Sequence, residues 1–164
     1  MSPVILGVDP GSRHTGFGVL EGEGNQLLHL ASGCINAGSK PPLESSLCRI
    51  FDGLEELIHA HRPDAVAVEE IFLASNVKSA FILGQVRGVV LLLAAKTSLP
   101  IFQYPPLVVK KAVVGYGQAS KAQVQLMVEQ MLGLKLTSEH AADAPPLSQA
   151  RSAARRGKCP FPSC

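Results

Sequence analysis

Carboxylates close two apolar stretches of this 164-residue chain, and a third acidic position follows late in the sequence. Asp9 ends the run Val4-Ile5-Leu6-Gly7-Val8, and Glu69 ends Ala65-Val66-Ala67-Val68. An acid at the end of a buried strand is costly unless it is paired, hydrogen-bonded or metal-bound. In α/β sheets, ligands gather at the carboxyl ends of strands. His140 and Asp143 lie three apart, so on a helix they share a face. Convergence of Asp9, Glu69, His140 and Asp143 would give hard oxygen donors with one imidazole, a set that suits Mg²⁺ or Mn²⁺. Taken singly, each acid reads equally well as a solvent-facing or turn-capping residue, and only jointly do they favour a metal site. Glu70 adjoins Glu69, but strand side chains alternate, so one of the two faces the site. Glu69 is the choice because it follows the apolar run directly.

Other groupings are weaker. Gly11-Ser12-Arg13-His14-Thr15-Gly16-Phe17-Gly18 looks superficially like a phosphate loop, but no Lys-Ser/Thr follows and a strand, not a helix, comes next. Its glycines read as a tight hairpin. Cys34 and Cys48 read as small core residues. Cys159 and Cys164 are spaced too loosely for a zinc site.

The elements that must position these acids follow from periodicity. Val4 to Asp9 suits the centre of a sheet. Pro10-Gly11-Ser12 is turn chemistry, and strands follow over Thr15 to Leu20 and from Leu27 to Ala31, running on toward Ile35. Apolar residues at 43, 47, 50, 51, 54, 57 and 58 mark one face of a helix that Arg62-Pro63 ends. Asp64 to Glu69 is a strand, and Asn76 caps a helix to about Ala95. Pro100 to Tyr104 is a strand, and Pro105-Pro106 opens a short helix over Leu107 to Val114. Ser120 caps another helix that Gly133 stops, and a last one starts near Ser138. The order β-β-β-α-β-α-β-α-α predicts one α/β domain over residues 1–150. The basic stretch 151–164 is expected to be an unstructured tail.

Composition narrows the class. Hydrophobic residues are 46% and charged residues 17%, which excludes bulk disorder. The longest apolar run, Gly88 to Ala95, is well short of a bilayer span, so no membrane segment is expected. The N-terminus has no basic flank and meets Asp9 early, so no signal peptide is expected; the cysteines then read as reduced thiols in the cytoplasm. Formal net charge is +2, yet residues 1–77 carry 4 Lys/Arg against 10 Asp/Glu and residues 78–164 carry 11 against 3. That asymmetry hints at an anionic partner for the second half, although charge alone fits ordinary surface scatter.

The motifs resemble those of the RuvC family, the bacterial Holliday-junction resolvases. The resemblance rests on Ile5-Leu-Gly-Val-Asp9-Pro-Gly11-Ser-Arg-His-Thr15-Gly16-Phe-Gly18 and on Ala67-Val-Glu69-Glu-Ile-Phe72-Leu-Ala-Ser-Asn76. It continues through Leu83-Gly84-Gln85-Val-Arg87-Gly88, Phe102 to Lys111, Gly115-Tyr-Gly117, Lys121-Ala-Gln123-Val124 and His140-Ala-Ala-Asp143. The series spans residues 4–144 in order. It implies a ribonuclease H-like fold with a mixed five-stranded sheet flanked by helices, and a homodimer that nicks four-way DNA junctions symmetrically. It also implies two Mg²⁺ ions per subunit (Mn²⁺ substituting) and a branch-migration helicase complex as partner. Matched residue by residue, it puts Asp9, Glu69, His140 and Asp143 in the catalytic and metal-binding tetrad. Phe72 takes the place of an aromatic that contacts bases, with core packing as its alternative role. Asn76, Lys78, Arg87, Lys110, Lys111 and Lys121 are the candidate DNA contacts, a solvated helix face being the plainer reading of any one lysine. Val89 to Ala95 is expected either to meet a partner subunit or to pack beneath its own sheet.

Three competing readings share some of these features. One is a related ribonuclease H-like nuclease on another nucleic acid, and another a junction-binding protein with impaired catalysis. The third, an actin-like ATPase, needs two such lobes, and the chain has length for one. The sequence departs from the family after His140-Ala-Ala-Asp143-Ala144, where Pro145-Pro146 stands in place of an apolar helix. Prolines beyond a first turn end a helix, so Asp143 is expected on a short, poorly anchored piece.

Overall fold

The computed structural model describes residues 2–23, 26–38, 41–70, 76–118, 120, 123, 126, 127 and 130. Strands β1 (Val4–Asp9), β2 (His14–Glu23) and β3 (Gln26–Asn36) lead into helix α1 (Leu43–His61). Strand β4 (Ala65–Glu69), helix α2 (Val77–Lys96), strand β5 (Ile101–Tyr104) and helix α3 (Pro106–Val114) follow. The expected element order holds throughout these residues. β2 and β3 run longer than their apolar patterns, because the hairpin ladder continues on backbone hydrogen bonds through Glu21↔Leu28 to Glu23↔Gln26. Beyond α3, Ser120 and Gln123 form a reciprocal cap, Ser120 N donating to Gln123 Oε1 and Gln123 N to Ser120 Oγ.

The five strands form a mixed sheet in the order β3-β2-β1-β4-β5. β1 is central, antiparallel to β2 and parallel to β4, and β4 is parallel to β5. A reciprocal contact sets the start of β4 on β1: Asp64 N donates to Val4 O and Val4 N to Asp64 Oδ2, both at 2.7 Å. From there the register runs Ile5↔Ala65 to Val8↔Val68.

One face of the sheet carries the core. Leu6, Val8, Val19, Val66 and Val68 are buried against Ile50, Leu54 and Leu57 of α1 and Val86, Val90 and Leu93 of α2. Each such side chain stabilises the fold by roughly 1.5–3 kcal/mol through removal of apolar surface from water. The packing leaves an apolar void of about 10 Å³ between Leu6, Leu54, Val66 and Val90, a gap in the core that is too small for a ligand.

α1 starts at Pro42 without a side-chain cap and ends where Arg62 turns left-handed (φ 47°), its amide donating to Ile58 O. Cys34 is buried as expected, whereas Cys48 is exposed. Position 48 lies one residue, hence about 100°, off the inward stripe of α1, so the core reading fails there.

Helix α2 is longer than its most apolar run, Gly88 to Ala95. With 20 residues it is long and apolar enough to cross a bilayer by length and composition, which the run Gly88–Ala95 alone does not reveal. It packs against α1, and Val86, Val90, Leu93 and Ala94 lie in the core. The apolar excess is on the opposite side, where Phe81 is 71% and Leu92 57% exposed. Of the stretch 89–95, Val90, Leu93 and Ala94 therefore face the chain's own core, and Leu92 and Ala95 face outward.

Candidate active site

Asp9 and Glu69 each follow directly on the paired residues Val8↔Val68 of the parallel strands β1 and β4. Neighbouring strands lie about 4.8 Å apart, and side chains level with one another share a face. Val8 and Val68 point into the core, so the next residues, Asp9 and Glu69, stand together on the other face at the carboxyl end of the sheet. Tyr104 of β5 pairs with Glu69 in register and extends the row. Glu70 projects oppositely, and its amide donates to Tyr104 O at 2.9 Å. The register therefore places Glu69, and not Glu70, on the same face as Asp9.

The turn after Asp9 is tight. A Cβ on Gly11 would lie 2.0 Å from His14 O, so only glycine fits. The buried Thr15 donates through Oγ1 to Gly11 O at 2.9 Å, and Ala37 N donates to Arg13 O. The glycine-rich segment thus serves a hairpin, as its sequence suggested. It leaves Arg13 and His14 exposed just beyond Asp9. Neither they nor Tyr104 stood out in the sequence, although two basic side chains four and five residues past an acid were a legible signal.

Glu69 is half-buried, and its surroundings are tuned. Burial and then the Asp9 carboxylate push its carboxyl above the usual range, and the Lys110 ammonium pulls it partly back. Two acids held close enough to repel, at a partly desolvated strand end, have the donor chemistry for a hard divalent cation, and the residues fit one. Among the described residues no group of three or more such ligands is assembled. His140 and Asp143, the other two of the expected tetrad, lie outside the described residues, as do Phe72, Lys121 and Pro145-Pro146.

The remaining candidates are placed as follows. Asn76 is the N-cap of α2, its Oδ1 accepting from Lys78 N at 3.0 Å, and Lys78 is exposed beside it. Lys110 and Lys111 lie on α3, Lys110 acting electrostatically on Glu69 and Lys111 open to solvent. Arg87, on α2, donates through its Nη2 to Gln103 Oε1 of β5.

Known proteins resemble this arrangement. The sequence profile described as crossover junction endodeoxyribonuclease RuvC matches residues 5–149. The crossover junction endodeoxyribonuclease RuvC of Geotalea uraniireducens is 49% identical over 141 residues, covering 85% of this chain and 82% of that protein. The structure of T. thermophilus RuvC in complex with Holliday junction substrate superposes with a TM-score of 0.76 at 35% identity, over 93% of this chain and 90% of that one. The yeast mitochondrial Holliday junction resolvase Ydc2, at 16% identity and a TM-score of 0.57 over 79% of this chain and 60% of that one, shares the fold alone. The mixed sheet flanked by helices is accordingly the ribonuclease H-like fold. With the profile covering most of its length and its paired strand-end acids in register, this chain belongs to the RuvC family of crossover junction endodeoxyribonucleases.

Proposed function

We propose that this chain is a structure-specific endonuclease that resolves four-way DNA junctions by hydrolysing phosphodiester bonds. One observation carries the reading: Asp9 and Glu69 stand side by side at the carboxyl end of the central strands, in a chain that matches the resolvase profile over residues 5–149. Asp9 and Glu69, with His140 and Asp143 from outside the described residues, would hold Mg²⁺ ions, two per subunit, with Mn²⁺ as a substitute. When bound, the ions supply an activated water and charge stabilisation at the departing 3′ oxygen. The chain's own part is to fix the carboxylates on rigid strands and to leave one side of the site open to DNA. Lys110 adds positive charge beside Glu69, and Lys78, Lys111 and Lys121, with Asn76 at the helix start, are proposed to follow the phosphate backbone. Phe72, two residues beyond Glu70, is proposed to meet bases near the junction centre.

Symmetric nicking needs two such sites related by a twofold axis, and α2 supports a homodimer. Phe81, Gly84, Gln85, Gly88, Leu92 and Ala95 form an exposed stripe along it. A Cβ at Gly84 or Gly88 would meet nothing within 4 Å, so a second helix has room for close approach. The protein is proposed to act in the cytoplasm alongside a branch-migration helicase complex. A junction-binding protein with reduced catalysis is the second reading, favoured by Pro145-Pro146 two residues after Asp143.

The test is incubation of purified protein with a synthetic four-way junction and with linear duplex, with and without Mg²⁺. Paired nicks in the junction alone, dependent on Mg²⁺, support the proposal. Cleavage of duplex at a similar rate refutes junction specificity, and binding without cleavage selects the second reading.

A further inference from the structure

Strand β5 is the sheet edge next to the site, and little apolar packing holds it. It has four residues, pairs on one side with β4, and exposes three of its side chains, while the α3 that follows buries none of its own. Yet its end matters chemically. Tyr104 is the register partner of Glu69, its carbonyl accepts from Glu70 N, and α3 with Lys110 hangs from it through Pro105.

Arg87 reaches this edge from α2. It projects from the part of α2 fixed by Val86 and Val90, which are 0% and 3% exposed, and its Nη2 donates to Gln103 Oε1, the residue before Tyr104. Its Nε is closed off from solvent and has no hydrogen-bond partner among the described residues. A surface arginine reaching for phosphate keeps all its donors hydrated. One that gives up solvent at Nε to reach a neutral side chain is committed to the fold.

We propose that Arg87 is a positioning residue: its clamp on Gln103 fixes the end of β5, and through it Glu69 and Lys110, without touching DNA. The proposal rests on the reading of Asp9 and Glu69 as the active site. Cleavage then depends on the clamp because a ligand displaced by about 1 Å costs on the order of a hundredfold in rate.

The experiment compares Arg87→Met, Gln103→Leu, the double variant and Gln103→Glu with the unmodified protein. Single-turnover cleavage of a four-way junction under Mg²⁺ should fall about ten- to a hundredfold in Arg87→Met and in Gln103→Leu. The double variant should be no worse than either, since one interaction is removed once. Gln103→Glu keeps an acceptor and should retain the rate. Junction affinity and its salt dependence should be unchanged in all four, and amide hydrogen exchange at Glu70 should quicken in metal-free Arg87→Met and Gln103→Leu. Gln103 is exposed, so its leucine variant is expected to fold even where Arg87→Met does not. A shallower salt dependence in Arg87→Met makes it a phosphate contact and overturns the proposal. So does an unaltered rate in a folded Gln103→Leu, or multiplicative losses in the double variant. Should the unmodified protein fail to cut junctions, the functional reading fails, while the exchange measurement still decides whether the clamp exists.

Discussion

Replacing Glu69 with Gln should make the protein more stable and nearly inactive at once. Asp9 and Glu69 occupy level positions on neighbouring strands, so their carboxylates lie roughly 5 Å apart. Two unit charges at that distance repel by about 3 kcal/mol at an effective dielectric of 20, and by about 0.8 kcal/mol in water. Asp9 is exposed and Glu69 half-buried, which places the interaction toward the lower end, near 1 kcal/mol. The sign follows from the raised carboxyl of Glu69, because the folded chain favours the protonated form. This group's stabilising contribution is full below the ordinary carboxylate range and is lost as pH rises through its folded value. At pH 8 without divalent cation the ionised pair therefore weakens the fold, and Glu69→Gln should raise Tm by roughly 2–4 °C. At pH 4 the difference should shrink. Mg²⁺ should stabilise the unmodified protein by binding the native state, and the variant much less. Cleavage should fall on the order of a thousandfold, since metal-supplied charge stabilisation is worth several kcal/mol. Asp9→Asn should behave alike, with junction binding kept or tightened by loss of negative charge near phosphates. Thermal melts at both pH values with and without Mg²⁺, beside a labelled-junction cleavage assay, check each part. A variant that melts lower at pH 8 and still nicks at a normal rate would refute both the pairing and the site.

Gly88→Leu should separate fold from assembly: helix propensity improves by about 0.8 kcal/mol, yet the close approach proposed for α2 is blocked. Sedimentation should show a well-folded monomer, and a stable dimer in this variant would remove α2 from the interface. Gly11→Ala should destabilise by more than about 1 kcal/mol because its Cβ collides with His14 O, and an unchanged denaturant midpoint would contradict the turn geometry. Lys111→Ala should weaken junction binding modestly and reduce the slope of log affinity against log salt by about one, and an unaltered slope would make Lys111 a bystander. Replacing Pro145 and Pro146 with Leu and Ala should raise the Mg²⁺-dependent cleavage rate without altering affinity. If the rate stays the same and the unmodified chain already cuts briskly, the helix-break argument is wrong.

Local physics made much of this protein legible from its residues. The stripe at 43, 47, 50, 54 and 57 specified α1, Arg62-Pro63 ended it, Asn76 capped α2, and the apolar runs before Asp9 and Glu69 marked strands. Each of these signals lies within a turn or two of backbone, and that is why sequence carries them. The choice of Glu69 over Glu70 was legible for the same reason, because a strand alternates with period two. What the tertiary structure decided is non-local. That Asp9 meets Glu69, sixty residues away, depends on which strands pair and in what register, which the Asp64–Val4 contact sets at the far end of both. The division of α2 between core and open face depends on where neighbouring elements lie, and an all-round apolar helix gives no phase of its own. Arg87 shows the limit most plainly: composition marks it as one more cation in a basic half. Only the fold brings Gln103 of β5 within reach of its Nη2, because a long side chain's partner is set by what the fold places nearby.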